Sequence, residues 1–256
     1  MMDPVDFIFG VAGLFMLFGL GTMGLFVYLI IRWSTKKPEG KELVQDHQQM
    51  KAKVDAKKGD LIIWGDHTYM DLTFCMYCKF VKTVERRLSG QVFNHDNKKL
   101  VAFQRVERGF TADGYYYASS TDWDIRCEFD TKQFKFFYNN ELVGWVHLPT
   151  GGIYNAQKEK IGEAKHPKKM SVDVGPIRYR AGEENFPVML NGRVLCTISA
   201  APDYSDLVPG AFFRINENWI TTPIFNMLNE PETEEEKKWL LLLGVHEVVF
   251  HGHWMI

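Results

Sequence analysis

Four groups of residues have types and spacings that could do chemistry. The first is Cys75-x-x-Cys78. A thiol pair at that spacing suits zinc or redox work, but zinc wants four ligands, and Cys127 and Cys196 stand alone in segments that read as strands. At i, i+3 on a helix, Cys75 and Cys78 would share a face with Leu72 and Val81, so buried apolar thiols are the simpler account. The second group is His246, His251 and His253 beside Glu247. These histidines lie at a helix end without a defined ligand spacing, and a buried His–Glu hydrogen bond or a C-cap role explains them more simply. The third is the stretch TDWDIRCEFD. On an alternating strand Asp122, Asp124, Arg126 and Glu128 fall on one face, which suits an ion network better than a catalytic carboxylate pair. The fourth is Lys158, Lys160, Lys165, His166, Lys168 and Lys169, six cationic or titratable side chains within twelve residues. They could present donors to a phosphate headgroup and are the candidates for lipid contact; a solvated hairpin rim is the competing account.

Other chemical signatures are not visible. Gly151-Gly152 is followed by no Gly-Lys-Ser/Thr and is not a phosphate loop. Asp203-Tyr204-Ser205-Asp206 is too short to surround calcium. No Ser-His-Asp or Cys-His pattern stands out. No catalytic residue, metal or cofactor is therefore assigned, and a membrane-bound enzyme with a barrel-mouth pocket is kept only as a third functional reading.

The elements that must position these residues follow from composition and periodicity. The chain has 256 residues with 30 basic and 32 acidic side chains, a balance that gives no electrostatic case for nucleic acid. Nineteen Phe, ten Tyr and seven Trp suit a large core, and four cysteines do not make a disulfide framework. Val5–Ile31 runs for 27 positions with Asp6 as its one charge and reads as a transmembrane helix. Asp3 and Asp6 precede it and Arg32, Lys36, Lys37 and Lys41 follow, so the positive-inside rule predicts an outside N-terminus and a cytoplasmic remainder. Residues 36–60 read as a polar helical linker, with eight basic and four acidic residues from Arg32 to Lys58.

From Gln91 to Ile220, short runs rich in Phe, Tyr, Val and Ile alternate with turn chemistry such as Asn139-Asn140 and Asn191-Gly192. That spacing predicts roughly ten to twelve antiparallel strands. Three segments repeat an asparagine turn followed by a hydrophobic-small-x-hydrophobic exit, opening at Tyr138-Asn139, Tyr154-Asn155 and Leu190-Asn191. Thr233 and Glu236 form a capping-box pattern at the head of a helix over 234–250, whose run WLLLLGVHEVVF leaves almost no polar face. Such a helix must be enclosed, so the expected fold is mainly β: a closed antiparallel β-barrel around a C-terminal hydrophobic helix, preceded by the transmembrane helix. The expected domains are an anchor (1–35), the linker (36–60) and the barrel domain (61–256).

The hairpin order and the closing helix resemble the tubby C-terminal, phospholipid-scramblase and LURP-one-related superfamily. LVGWVHLP at 142–149, KIGEAKHP at 160–167, RVLCTISAAP at 193–202 and EEKKWLLLLGVHEVVFHG at 235–252 carry the resemblance, over about residues 90–252. It implies binding of phosphoinositides or other anionic lipids, or their movement between leaflets. The proline-rich N-terminus, cysteine-rich cluster and acidic calcium segment of scramblases are not evident in this chain. The expected function is thus a single-pass membrane-anchored binding or scaffold protein whose barrel contacts anionic membrane lipid or a membrane-protein partner. A scramblase-type lipid transporter is the alternative.

Overall fold

The computed structural model describes residues 21–26, 28–29, 39–74, 76–82, 86–108, 113–165, 185–199 and 223–251. Among these residues one antiparallel sheet dominates, with twelve strands in sequence order from β1 to β12. They are β1 Met76–Lys82, β2 Arg86–Phe93, β3 Lys99–Arg108, β4 Asp113–Ser119, β5 Asp124–Phe129, β6 Gln133–Tyr138, β7 Glu141–His147, β8 Gly152–Asn155, β9 Lys160–Ala164, β10 Phe186–Leu190, β11 Arg193–Ile198 and β12 Phe225–Met227. Helix α1, Lys41–Asp55, precedes the sheet and helix α2, Glu234–His251, follows it.

Local chemistry explains the meander. Asn139 and Asn140 hold φ of 48° and 68°, and Asn191 and Gly192 hold 52° and 77°, so β6–β7 and β10–β11 are joined by two-residue turns that need left-handed backbone. The β8–β9 turn is built on Asn155, whose side-chain oxygen accepts from the Gln157 and Glu159 N–H groups at 3.1 and 2.9 Å. The inner face of the sheet packs on α2, where Trp239, Leu240, Leu242, Val245, Val248 and Val249 are fully buried. Gly144 and Gly162, the small residues of two repeats, stand where backbones close in. A Cβ at Gly144 would lie 1.9 Å from the Tyr154 carbonyl oxygen and 2.9 Å from the Trp239 ring, and one at Gly162 would lie 2.1 Å from the Met189 carbonyl oxygen.

Both ends of α2 are gripped by charged groups. At its start, Glu236 is almost completely buried, and its carboxylate accepts from Arg193 at 3.0 Å, Asn191 at 3.0 Å and the Glu232 N–H at 2.7 Å. The Thr233 hydroxyl accepts from the Glu236 N–H at 3.1 Å, half of the expected capping box, while the carboxylate reaches Glu232 rather than Thr233. At the other end, Arg105 donates to the Val249 carbonyl oxygen at 2.5 Å, pairs with Glu107 and lies 4.1 Å over the Phe250 ring. A cation on the last-turn carbonyls is where the helix dipole favours it.

Three expectations are corrected. The sheet is mainly antiparallel, but it is not closed into a barrel: among the described residues β1 pairs with β2 and β12 pairs with β11. One isolated bridge, Thr73 to Pro223, joins the two ends, and the Ile224 N–H reaches the Leu72 carbonyl at 3.4 Å. Pro223 has no N–H to extend that bridge, and β12 is only three residues long. The transmembrane helix is corrected next. Among the described residues no helix is long and apolar enough to cross a membrane. Most of the Val5–Ile31 stretch lies outside the described residues; positions 21–26 and 28–29 are helical and exposed. Helix α2 carries Glu234, Glu235, Lys237 and Lys238 in its first turns and is covered by the sheet. The single-pass membrane localisation, with its outside N-terminus and cytoplasmic barrel, falls with the span on which it rested.

The helix expected within 36–60 is present as α1 and is docked. Met50 and Val54 are buried against Ala102, Val106, Tyr115 and Tyr117, a second small core on the outer face of β3 and β4.

Candidate functional site

The expected chemical groups separate once they are placed. Cys75 lies outside the described residues, and Cys78 is placed only as backbone in β1. Cys127 and Cys196 are buried thiols, and burial pushes Cys196 up to about 12, which leaves it unreactive at neutral pH. His246 is buried among Phe134, Phe136 and Phe250 at ring distances of 4.0, 5.7 and 4.4 Å, and Glu247 is buried beside it. The side chain of His251 and all of His253 lie outside the described residues. The acidic run of β5 is an ion network: Arg126 pairs with Glu128, and Asp124 takes Ser119 at 2.6 Å, Lys58 at 2.9 Å and Lys51 at 3.0 Å. Burial raises the Asp124 carboxyl, but these three donors outweigh it and hold the group below its ordinary value.

Of the six lipid-contact candidates, His166, Lys168 and Lys169 lie outside the described residues. Lys158, Lys160 and Lys165 are exposed on the β8–β9 hairpin. Lys158 sits in the turn, Lys165 follows the far end of β9, and Lys160 is paired with Glu163 at 2.8 Å, so the three do not converge. The pairing raises the Lys160 ammonium and lowers the Glu163 carboxyl. Lys158 has a φ of 70°, a left-handed position in this turn where glycine is the usual occupant. Holding a lysine there costs ~1 kcal/mol relative to glycine.

The arrangement that the residue pattern alone did not reveal is a row on the outer face of the sheet. Lys135 pairs with Trp145, Trp145 with Tyr154, and Tyr154 with Lys160, directly opposite one another on β6, β7, β8 and β9. Their strand neighbours Phe136, Val146 and Ile153 point into the core, so the row faces away from α2. Trp145 and Tyr154 stack with centroids 5.7 Å apart and planes at 9°. In the adjoining row Arg126 lies 3.6 Å over the Phe137 ring, and Lys135 approaches the same ring at 5.2 Å. All of these side chains are half-buried or exposed. A stacked aromatic pair between two ammonium groups can hold a flat or apolar body while the cations take an anion. The signal was present in the alternation of QFKFFY and ELVGWVH, but the cross-strand pairing could be read only with two β-bulges in hand, at Phe136/Phe137 and Ile153/Tyr154.

Comparison of the chain with protein families, curated proteins and solved structures finds no match.

Proposed function

We propose that this protein is a binding or scaffold module that receives a phosphate-bearing anionic partner on the outer face of β6–β9. The observation that supports it is the register row Lys135–Trp145–Tyr154–Lys160, which puts a stacked aromatic pair between two cations on a rigid sheet. Strands fix such a constellation better than a loop does. Lys158 strengthens the reading: a lysine held in a left-handed turn next to the end of that row costs stability and suits contact rather than folding. The resemblance of the hairpin motifs to the tubby and scramblase superfamily points to the same ligand chemistry, the phosphate of an anionic lipid headgroup.

The test is sedimentation with vesicles of neutral phosphatidylcholine, with and without phosphatidylserine, in the presence and absence of soluble glycerophosphate. The reading expects retention on the anionic vesicles and its loss in the Lys135→Ala, Lys160→Ala double variant. Competition by glycerophosphate would identify a headgroup site, and retention without competition a site for the anionic surface. Equal behaviour on both vesicle types would contradict the proposal.

A further inference from the structure

The row continues beyond β6, under helix α1. Lys135 pairs with Glu128 on β5, Glu128 with Tyr115 on β4, Tyr115 with Val106 on β3, and Val106 with Arg87 on β2. Arg87 and Lys160 therefore stand at opposite ends of one cross-strand line that runs over eight strands. At the Arg87 end the line is occupied. Asp46 of α1 takes the Arg87 guanidinium bidentately at 2.9 and 3.1 Å, and the Tyr115 hydroxyl donates to the same carboxylate. His47, the next residue, stacks on Tyr115 with centroids 4.1 Å apart and meets the Tyr117 hydroxyl at 2.9 Å. A guanidinium fork with a phenol beside it is a carboxylate and phosphate receptor in its own right.

We infer that α1 is a releasable strap whose Asp46 carboxylate fills an anion seat made by Arg87 and Tyr115, and that a phosphate-bearing ligand competes with Asp46 for it. The hold on α1 is suited to release. Only Met50 and Val54 are fully buried, with Leu43 half-buried beside them, and the remaining hold is polar or aromatic: Asp46 on Arg87, His47 on Tyr115, and Lys51 on Asp124. An element with few buried apolar contacts opens at lower cost than the core. Release would uncover Tyr115 and Tyr117 and extend the exposed line from β6–β9 back to β2. The inference deepens the proposed function by naming its regulation, and its test reads α1 in the absence of vesicles, so either can fail without the other.

The experiment is amide hydrogen exchange of the full chain, comparing 41–55 with the buried helix 239–249. Inorganic phosphate should speed exchange in 41–55 by about threefold or more over sodium chloride of equal ionic strength, with 239–249 unchanged. Asp46→Asn should speed it by about tenfold without phosphate, and Arg87→Gln should abolish the difference between phosphate and chloride. Identical action of phosphate and chloride on the wild type, a phosphate effect that survives Arg87→Gln, or exchange in 239–249 that rises in step with 41–55 would each overturn the inference.

Discussion

Gly144 of β7 lies directly beneath Trp239 of α2, close enough that a Cβ on the glycine would meet the indole at 2.9 Å. The same Cβ would meet the Tyr154 carbonyl oxygen at 1.9 Å, and Gly144 has a φ of 154°. The largest side chain of the helix and the absent side chain of the strand are thus two halves of one fit. Trp239 is fully buried and meets Phe136 edge-on at 6.0 Å. Gly144→Ala is expected to destabilise the fold by ~3 kcal/mol, since neither the backbone oxygen nor the buried indole can move aside cheaply. Urea denaturation followed by tryptophan fluorescence measures it; an unchanged midpoint would mean that the helix is not seated on β7.

Glu236 predicts an acid dependence. Burial pushes its carboxyl up, but the Glu232 N–H, Asn191 and Arg193 outweigh that and hold it below the ordinary value of 4.5. A carboxyl depressed in the folded state contributes stability above its unfolded pKa and loses it as pH falls through the folded one. The wild type should therefore lose stability progressively below about pH 4.5. Glu236→Gln should cost about 2 kcal/mol at neutral pH and show a smaller loss on acidification. Denaturation midpoints of both proteins at neutral pH and in acid check this, and parallel curves would refute it.

Arg105 and Glu107 form a nearly buried pair next to the last turn of α2. Arg105→Met removes an ion partner of Glu107 and the donor to the Val249 carbonyl, and should cost ~3–5 kcal/mol. Arg105→Met combined with Glu107→Leu should cost clearly less than the two single changes added together. Additive losses in that double-mutant cycle would mean that the pair does not act as a unit.

Lys158 should behave oppositely in stability and in binding. Lys158→Gly relieves the left-handed strain and is expected to stabilise the protein by ~0.5–1 kcal/mol. The same change should weaken retention on anionic vesicles, because the cation is gone from the turn beside the row. A variant that is more stable and binds as well as the wild type would reduce Lys158 to a plain turn residue.

How much was legible in the sequence varies with the physics that decided each feature. Asn139-Asn140 and Asn191-Gly192 announced their turns because only a few residue types accept positive φ at both positions. WLLLLGVHEVVF announced a buried helix because it leaves no face for water, and the sheet buries it. The open sheet was not legible, since closure depends on two distant segments meeting and Pro223 stands where they do. Docking of α1 was hidden for another reason. Leu43, Met50 and Val54 make a narrow apolar stripe in an otherwise polar helix, and Asp46, His47 and Lys51 are ordinary surface types until Arg87, Tyr115 and Asp124 come into reach. The outer row needed the bulges at Phe136/Phe137 and Ile153/Tyr154, because a one-residue slip moves every side chain to the other face.

The central claim is that the outer face of β6–β9 is the binding surface. Its most direct test is backbone amide NMR of the isotope-labelled protein titrated with soluble glycerophosphate. The account predicts that the shifts centre on Lys135, Trp145, Tyr154, Lys158 and Lys160 and are lost in Trp145→Ala. Shifts that centre elsewhere on the sheet, or that persist unchanged in Trp145→Ala, would contradict it.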